Sequence, residues 1–192
     1  MYYKKLGECA KITFCSITPS RSKTQTALSK WFVCTNFLVD NEVVKEPTVN
    51  NMVPDNDWLL HRHDIVIKRI TPTFVNYIDF EPQEIYGGNN LIIITPHSKI
   101  DAKYLAMILN DKIDELSKES SVGAVMKSIS RNILEQLDIP MIDEHKRRIV
   151  GELWYKGIEL KKKKNKLIEL ENTRTNHLLK RIIQISGGTN NG

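Results

Sequence analysis

The sequence lacks the motifs that identify many enzymes and membrane proteins. There is no GxxxxGK(S/T) phosphate loop, no GxGxxG after a strand, no GxSxG nucleophile elbow and no Asn-Pro-Pro-aromatic tetrad of adenine methyltransferases. No apolar run approaches the roughly 20 residues that cross a bilayer. The N-terminus continues into mixed polar sequence rather than an apolar signal core. We therefore expect a cytoplasmic protein without membrane contact.

Cysteine is scarce, and its spacing argues against a structural role. Cys9, Cys15 and Cys34 are odd in number and form no CxxC pair, which disfavours both a disulfide framework and a zinc knuckle. We expect buried or half-buried free thiols. The segment from His61 to Asp64 could present two imidazoles on one side of a strand to a metal. No third ligand cluster accompanies it, so a strand edge is the favoured interpretation.

The positive charge of the chain is concentrated at its C-terminal end. Residues 1–140 carry 16 Lys and Arg against 17 Asp and Glu, whereas residues 141–192 carry 12 against 6. The C-terminal excess includes four consecutive lysines, Lys161 to Lys164. Such a segment can meet nucleic acid, an acidic partner or only water, and composition does not separate these possibilities.

The N-terminal part alternates short apolar runs with polar loops. The predicted elements are a short helix or strand over Leu6–Ile17, a loop over Thr18–Thr26, a strand over Trp31–Val39, a loop over 40–57, and buried strands at Asp64–Ile67, Phe74–Ile78 and Leu91–Thr95. A turn at 87–90 precedes the last strand. Asp101 can cap a helix to about Ser117 with one apolar face of Leu105, Ile108, Leu109, Ile113 and Leu116. These patterns predict an α+β fold.

The C-terminal part reads as one long helix. Ser130 can cap a short helix holding Ile133, Leu134 and Leu137, and Ile139 before Pro140 ends the globular part. Asp143 can then cap a helix that continues to about Ile185 and is roughly 65 Å long. The predicted organisation is a globular domain over 1–140, a long helix over 141–185 and a disordered tail over 186–192.

Apolar residues on this helix follow a heptad-like seam, which indicates a coiled coil. Leu153, Leu160 and Leu167 are spaced by seven residues, and lysines occupy part of the alternate position. A helix this long cannot bury its seam against a small domain alone, so we expect it to pair with a second copy or a partner. The seam that we assign consists of Ile149, Leu153, Leu160, Leu167 and Leu170.

The order of several segments resembles the specificity (S) subunit of type I restriction–modification enzymes. Leu6–Thr13 resembles the start of a target-recognition domain, and His63–Arg69 resembles the family's Gly-Asp-Ile strand with histidine in place of glycine. Asn89–Pro96 with Tyr104 and Leu105 resembles the next strand and helix. The segment from Ser121 to Pro140 resembles the closing segment, and Glu144 and Ile149 resemble the opening of the conserved-region helix. Complete S subunits have two domains and two helices, so the resemblance is to a half-size form.

The resemblance implies a non-catalytic protein that reads one half of a split DNA target. It implies that the helix sets the distance between half-sites and docks partner subunits, and that two copies form a homodimer on a bipartite palindromic target. The partners would be double-stranded DNA, a DNA adenine methyltransferase subunit and a restriction/translocase subunit. The chain itself would hold no cofactor and no metal, because S-adenosylmethionine, ATP and Mg²⁺ belong to the partner subunits.

A DNA-reading domain needs basic and amide side chains in loops and at element ends rather than a large net charge. The residues that we assign to DNA contact are Arg21, Lys23, Lys30, Arg62, Lys68, Arg69, Lys127 and Arg131. One alternative is an interaction protein that binds a methyltransferase or a full-size S subunit as a decoy or exchangeable half without reading DNA. Another is a nuclease using Glu144 and Lys146 with Asp138, although Asp143 and Glu144 are better explained as acids in a first helical turn.

Overall fold

The computed structural model describes residues 2–15, 30–33, 38–39, 42–43, 48–50, 56–70, 73–82, 84–88, 90–98, 101–119 and 128–187. The strands are β1 (Tyr2–Lys5), β2 (Ala10–Phe14), β3 (Lys30–Val33), β4 (Leu38–Val39), β5 (Glu42–Val43), β6 (Thr48–Asn50), β7 (Ile65–Lys68), β8 (Val75–Tyr77), β9 (Ile85–Gly87), β10 (Leu91–Pro96) and β11 (Asp138–Met141). The helices are α1 (Leu6–Cys9), α2 (Ala102–Glu119), α3 (Arg131–Glu135) and α4 (Glu144–Gly187). A strand-containing region is thus followed by a long helix, and the predicted α+β class is confirmed.

The chain divides into two compact units, Met1–Trp154 and Tyr155–Gly192. The first unit contains every strand of the described residues and the first turns of α4. The second unit holds the rest of α4, while residues 188–192 lie outside the described part. No helix in the described ranges is both long and apolar enough to cross a membrane.

A four-stranded antiparallel sheet in the order β2-β10-β7-β8 forms the centre of the first unit. Because successive side chains of a strand point to opposite faces, β7 supplies Ile65 and Ile67 to one hydrophobic core and Val66 to another. Both faces are therefore buried. This double burial explains the near-continuous apolar runs of β7 and β10, and the three predicted buried strands are confirmed.

Helices α2 and α3 belong to the larger of the two cores. The predicted apolar face of α2 is confirmed, since Leu105, Leu109 and Leu116 are buried there and Ile108 packs against them. The Ser130 side chain accepts a hydrogen bond from the backbone N–H of Ile133, which confirms the predicted cap of α3. Both helices therefore follow from apolar spacing and capping.

Several short strands occur where the sequence predicted loops or a chain end. The loop predicted over 40–57 is wrong in part, because β5 pairs with β4 and β6 pairs with β3. Strand β9 begins just before the predicted turn and runs parallel to β3. Strand β11 contains Pro140 and pairs with β1, so residues 138–141 do not simply end the domain. These strands are too short or too polar to show a period, and pairing with other strands, most of them distant in the sequence, defines them.

Two of the three cysteines lie in described segments. Cys15 is buried, Cys9 is half-buried, and both are free thiols as predicted. Cys34 lies outside the described residues.

The first turns of α4 pack closely on the N-terminal end of α2. The Asp143 carboxylate accepts hydrogen bonds from the backbone N–H groups of two following residues, which confirms the predicted cap. A Cβ built on Gly151 would lie 2.8 Å from the backbone nitrogen of Tyr104, so only glycine permits this approach. The Lys103 ammonium donates to the Glu152 carboxylate at 2.6 Å beside it. Gly151 and this ion pair thus contribute to the contact between the two helices, as does the ion pair of Arg147 with Asp101.

Candidate nucleic-acid interface

Three of the predicted DNA-contacting residues lie at one end of the central sheet. Strand β7 ends at Lys68, which is followed by Arg69, and β2 ends at Phe14. Strand β10 begins at the same end, because Leu91 is paired with Lys68 and Ile92 with Phe14. Arg131 reaches this end from α3. We call it the Phe14 end of the sheet.

The Phe14 ring joins two of these cations. The guanidinium carbon of Arg131 lies 4.6 Å from the ring centroid and that of Arg69 lies 5.5 Å from it. Both distances are within the range of attraction between a cation and an aromatic face. Residues that are 55 and 117 positions beyond Phe14 in the sequence therefore meet on one side chain.

Backbone carbonyls fix the same two guanidinium groups. Arg69 donates from Nε to the carbonyl oxygen of Ile129 at 3.2 Å, and Arg131 donates from Nη1 to that of Ile12 at 3.0 Å. Arg131 also pairs with Glu135, at 3.2 Å between Nη1 and Oε1. A carbonyl oxygen orients a guanidinium without cancelling its charge. The carbonyl contacts therefore tie both arginines to the fold, and a carboxylate pairs with Arg131 alone of the two.

Main-chain contacts bring further segments to the Phe14 end. The backbone N–H of Ile129 donates to the carbonyl oxygen of Arg69, and Ile70 forms an isolated bridge with Ser128. The Lys68 ammonium lies 5.4 Å from the centroid of the Phe74 ring. Lys127 directly precedes Ser128 in the sequence. Chain segments from β2, β7 and the start of α3 thus converge at this end.

Two of the other predicted DNA-contacting residues lie elsewhere. Arg62 lies at the opposite end of β7, where its guanidinium is 4.0 Å from the Glu81 carboxylate. Lys30 begins β3 in a different sheet. Arg21, Lys23 and Lys127 lie outside the described residues.

The opposite end of the sheet is built around a buried carboxylate. Asp64 is 1% exposed and accepts hydrogen bonds from the His61 backbone N–H and the Thr95 hydroxyl, both at 2.7 Å. Burial raises the pKa of this carboxyl, and the two hydrogen bonds oppose the increase. Residues 61–64 form a turn before β7 rather than the predicted strand edge, and the carboxylate joins this turn to Thr95 of the neighbouring strand β10.

Position 63 shows why glycine would suit this turn. His63 has a φ of 78°, a left-handed conformation that glycine adopts without steric cost. Its Nδ1 lies 2.6 Å from the Tyr77 hydroxyl, and burial raises the pKa of Tyr77 to about 12. Within the described ranges, no group of three or more His, Cys, Asp or Glu side chains is arranged to hold a metal ion. The hydrogen bond accounts for the histidine without a metal.

Of the acidic residues near the nuclease alternative, Asp138 and Asp143 have structural roles. Asp138 lies on β11 and forms an ion pair with Lys5 at 2.8 Å, while Asp143 caps α4. Glu144 and Lys146 are exposed in the first turn of that helix. An acid such as Glu144 in a first turn interacts favourably with the helix dipole.

The predicted seam of α4 is exposed along its whole length. Exposed fractions of its side chains run from 45% at Ile149 to 65% at Leu153. The other three seam residues, Leu160, Leu167 and Leu170, are also exposed. So are further large apolar residues of the helix: Ile168, Leu178, Leu179, Ile182 and Ile183. Exposed apolar residues at heptad-like spacing are typical of a coiled-coil face.

Sequence reasoning missed the structural roles of Phe14, whose ring joins two arginines, and of Gly151, which permits close helix packing. A phenylalanine at the end of an apolar strand is usually a core residue, and its partners Arg69 and Arg131 are distant in the sequence. A glycine inside a helical pattern is a weak signal, although it often marks close packing. Neither role could be assigned without the tertiary contacts.

Comparison with known proteins identifies the fold. No protein-family model matches the sequence, and no curated protein is similar to it. A chain from a structure concerned with complex assembly and conformational transition of the type I R-M system superposes with a TM-score of 0.60 at 15% identity, covering 96% of this chain and 44% of that one. The HsdS subunit from Thermoanaerobacter tengcongensis superposes with a TM-score of 0.57 at 18% sequence identity, and the match covers 83% of this chain and 37% of that one.

A third structure, the S subunit of a type I restriction–modification system from M. genitalium, gives a TM-score of 0.51 at 9% identity, covering 79% of this chain and 37% of that one. The chain spans less than half the length of each of these structures. Over most of its own length, it has the fold of type I restriction–modification specificity subunits.

Proposed function

We propose that the chain is a sequence-specific DNA-recognition protein of a type I restriction–modification system, acting as a half-size specificity subunit without catalytic activity. The observation that carries this proposal is a specificity-subunit fold combined with a basic, loop-bearing end of the sheet. Loops held by a rigid scaffold are where recognition residues are usually found.

The Phe14 end of the sheet is the proposed DNA face. Lys68, Arg69 and Arg131 would contact phosphates or base edges there, and Arg21, Lys23 and Lys127 belong to sequence segments adjoining this end. Arg62 and Lys30 remain predicted DNA contacts, at positions away from the Phe14 end of the sheet. Phosphate contacts position a protein on DNA, whereas one or two arginines that are bidentate to guanine would supply sequence preference.

The exposed seam of α4 is the proposed dimer interface. Ile149, Leu153, Leu160, Leu167 and Leu170 would form a coiled coil with the same helix of a second copy. Each buried leucine would contribute about 1.5–3 kcal/mol through loss of apolar exposure, before the entropic cost of association. A two-fold dimer would read an inverted repeat with a nonspecific spacer, because the symmetry of the protein is imposed on the target.

Catalysis would reside in partner subunits. An adenine methyltransferase subunit would supply S-adenosylmethionine chemistry, and a restriction/translocase subunit would use ATP and Mg²⁺. This chain would recognise the DNA target and provide a docking surface for the partner subunits. Its proposed role therefore needs no cofactor of its own.

Selection from a random duplex library tests the DNA-reading role. The purified chain, alone and with the methyltransferase subunit, would be incubated with duplexes containing two randomised blocks and a randomised spacer. Two short enriched blocks at a fixed separation are expected. Stable binding of the methyltransferase with no enriched sequence would contradict DNA reading by this chain.

A second candidate is an interaction protein that binds a methyltransferase or a full-size S subunit without reading DNA. One observation favours it: Arg69 and Arg131 are both engaged by backbone carbonyls, and Arg131 also pairs with Glu135, so their contribution to the fold is a sufficient reason for their presence. This candidate predicts a tight protein complex and salt-sensitive DNA binding no stronger than that of an unrelated basic protein. The same selection experiment separates the two.

A further inference from the structure

We propose that Arg69 and Arg131 form one preorganised clamp for DNA backbone phosphate and that Phe14 is the residue that positions both of them. The inference rests on the proposed DNA-reading function and assigns its anchoring site. It adds Phe14, which is uncharged, and assigns an inhibitory role to Glu135.

The geometry supports a single site rather than two separate cations. Both guanidinium carbons are close to the Phe14 ring, so they lie within about 10 Å of each other, the sum of their distances to its centroid. Phosphates follow one another along a DNA strand with an axial rise of about 3.4 Å. Two guanidinium groups no farther apart than this can reach phosphates that are near neighbours on the same strand.

The clamp is ordered before DNA arrives. Each guanidinium is held by the ring and by one carbonyl oxygen, that of Ile129 for Arg69 and that of Ile12 for Arg131. Among the described residues, the hydrogen bonds of the pair use only Nε of Arg69 and Nη1 of Arg131. An arginine has five N–H donors, so each retains donors for an anion. Side chains that are already fixed lose less entropy when they bind.

Glu135 competes with DNA for one half of the clamp. Its carboxylate pairs with Arg131, although both side chains are exposed, at 51% for Arg131 and 38% for Glu135. An exposed pair of this kind contributes little to stability. Phosphate would replace the carboxylate on Arg131, and the Glu135 charge would repel the incoming strand. Removal of that charge should therefore strengthen DNA binding.

Binding of the full-length chain to a 30-base-pair duplex of random sequence, followed by fluorescence anisotropy between 50 and 200 mM salt, tests the clamp. The association constant falls as the salt concentration rises, and each phosphate contact adds about 0.9 to the steepness of log association constant against log salt concentration. Removing one contact should therefore make the slope shallower by about 0.9, so that affinity decreases roughly 3.5-fold less across this range. Arg69→Gln and Arg131→Gln should each make the slope shallower by the amount expected for one lost phosphate contact. Lys112→Gln removes the same charge from the surface of α2 and should leave the slope unchanged.

Three further variants test the specific arrangement. Phe14→Leu should weaken binding as both arginine variants do, and Phe14→Tyr should restore it because the ring returns. Glu135→Gln should tighten binding several-fold, a gain that removal of a merely structural interaction does not produce. Should Phe14→Leu fail to fold by circular dichroism, the two arginine variants and Glu135→Gln still decide the clamp.

Two results would overturn the inference in different ways. If both arginine variants bind DNA with the same salt dependence as the wild type, the clamp is contradicted, but the proposed DNA-reading function is not. No salt-dependent binding by the wild-type chain, alone or with its methyltransferase, would remove the clamp and DNA reading together.

Discussion

Gly151 and Gly157 offer a matched test of how α4 begins. Both are in the same helix, but a Cβ on Gly151 would lie 2.8 Å from the Tyr104 nitrogen, while a Cβ on Gly157 would meet nothing within 4 Å. The atoms near Gly151 include backbone, which cannot rotate away as the end of a side chain can. Alanine should therefore have opposite effects at the two positions.

The magnitudes follow from two competing terms. Alanine in place of glycine stabilises a helix interior by about 0.5–1 kcal/mol, and this term acts at both positions. Insertion of a methyl group into a closed contact destabilises by about 1–3 kcal/mol, and this term acts only at Gly151. Gly157→Ala should gain about 0.5–1 kcal/mol, whereas Gly151→Ala should be less stable than Gly157→Ala by about 1–3 kcal/mol.

Urea unfolding followed by circular dichroism measures both free energies, at equal protein concentration because association would shift them. The Lys103–Glu152 ion pair beside Gly151 gives a second measurement. Lys103→Ala should destabilise the Gly151→Ala variant less than the wild type, because the ion pair is already displaced. Equal stabilisation by alanine at both positions would refute the close packing of α4 on α2.

Three further predictions concern the seam and the turn before β7. Leu160→Glu should convert the proposed dimer to monomer in analytical ultracentrifugation, while Lys162→Glu, a charge change off the seam, should not. A dimer of unchanged affinity would remove Leu160 from the proposed interface. His63→Gly should be more stable than His63→Ala by about 1–2 kcal/mol in urea unfolding. Both variants lose the hydrogen bond to Tyr77, but only glycine relieves the strain of the left-handed backbone. Equal stability of the two variants would mean that the backbone at position 63 is unstrained. Burial raises the pKa of Asp64 above its ordinary value of 3.8, so its contribution to stability is largest in acid and is lost as the pH rises through the folded-state pKa. The unfolding free energy of the wild type relative to Asp64→Asn should therefore increase from pH 7 to pH 4, and a decrease would contradict the direction of the shift.

Local patterns in the sequence predicted the elements that depend on local chemistry. The β-branched runs of β7 and β10 carry enough apolar residues to indicate buried strands, and Ser130 and Asp143 are recognisable caps. Strands β1 and β11 could not be predicted, because the first is mainly exposed and the second contains Pro140. Their structure comes from pairing across more than 130 residues, to which no local pattern refers.

The candidate site was predictable by residue type and not by arrangement. Arg69 and Arg131 are basic residues at element ends, which is where the sequence directed attention. Their meeting on Phe14, and the separation of Arg62 from them by the length of β7, depend on the order of strands in the sheet. Sheet order depends on long-range contacts that local sequence patterns do not reveal.

We propose that this chain gives a DNA-modifying complex its sequence preference. The most direct test is to co-express the chain with the adenine methyltransferase whose gene lies nearest to its own and to map methyladenine across the genome by single-molecule sequencing. We expect a split motif with two short specific blocks, a fixed spacer and methylation on both strands, and a palindromic motif would indicate pairing of identical copies. A stable complex of chain and methyltransferase that methylates no defined motif would contradict the claim.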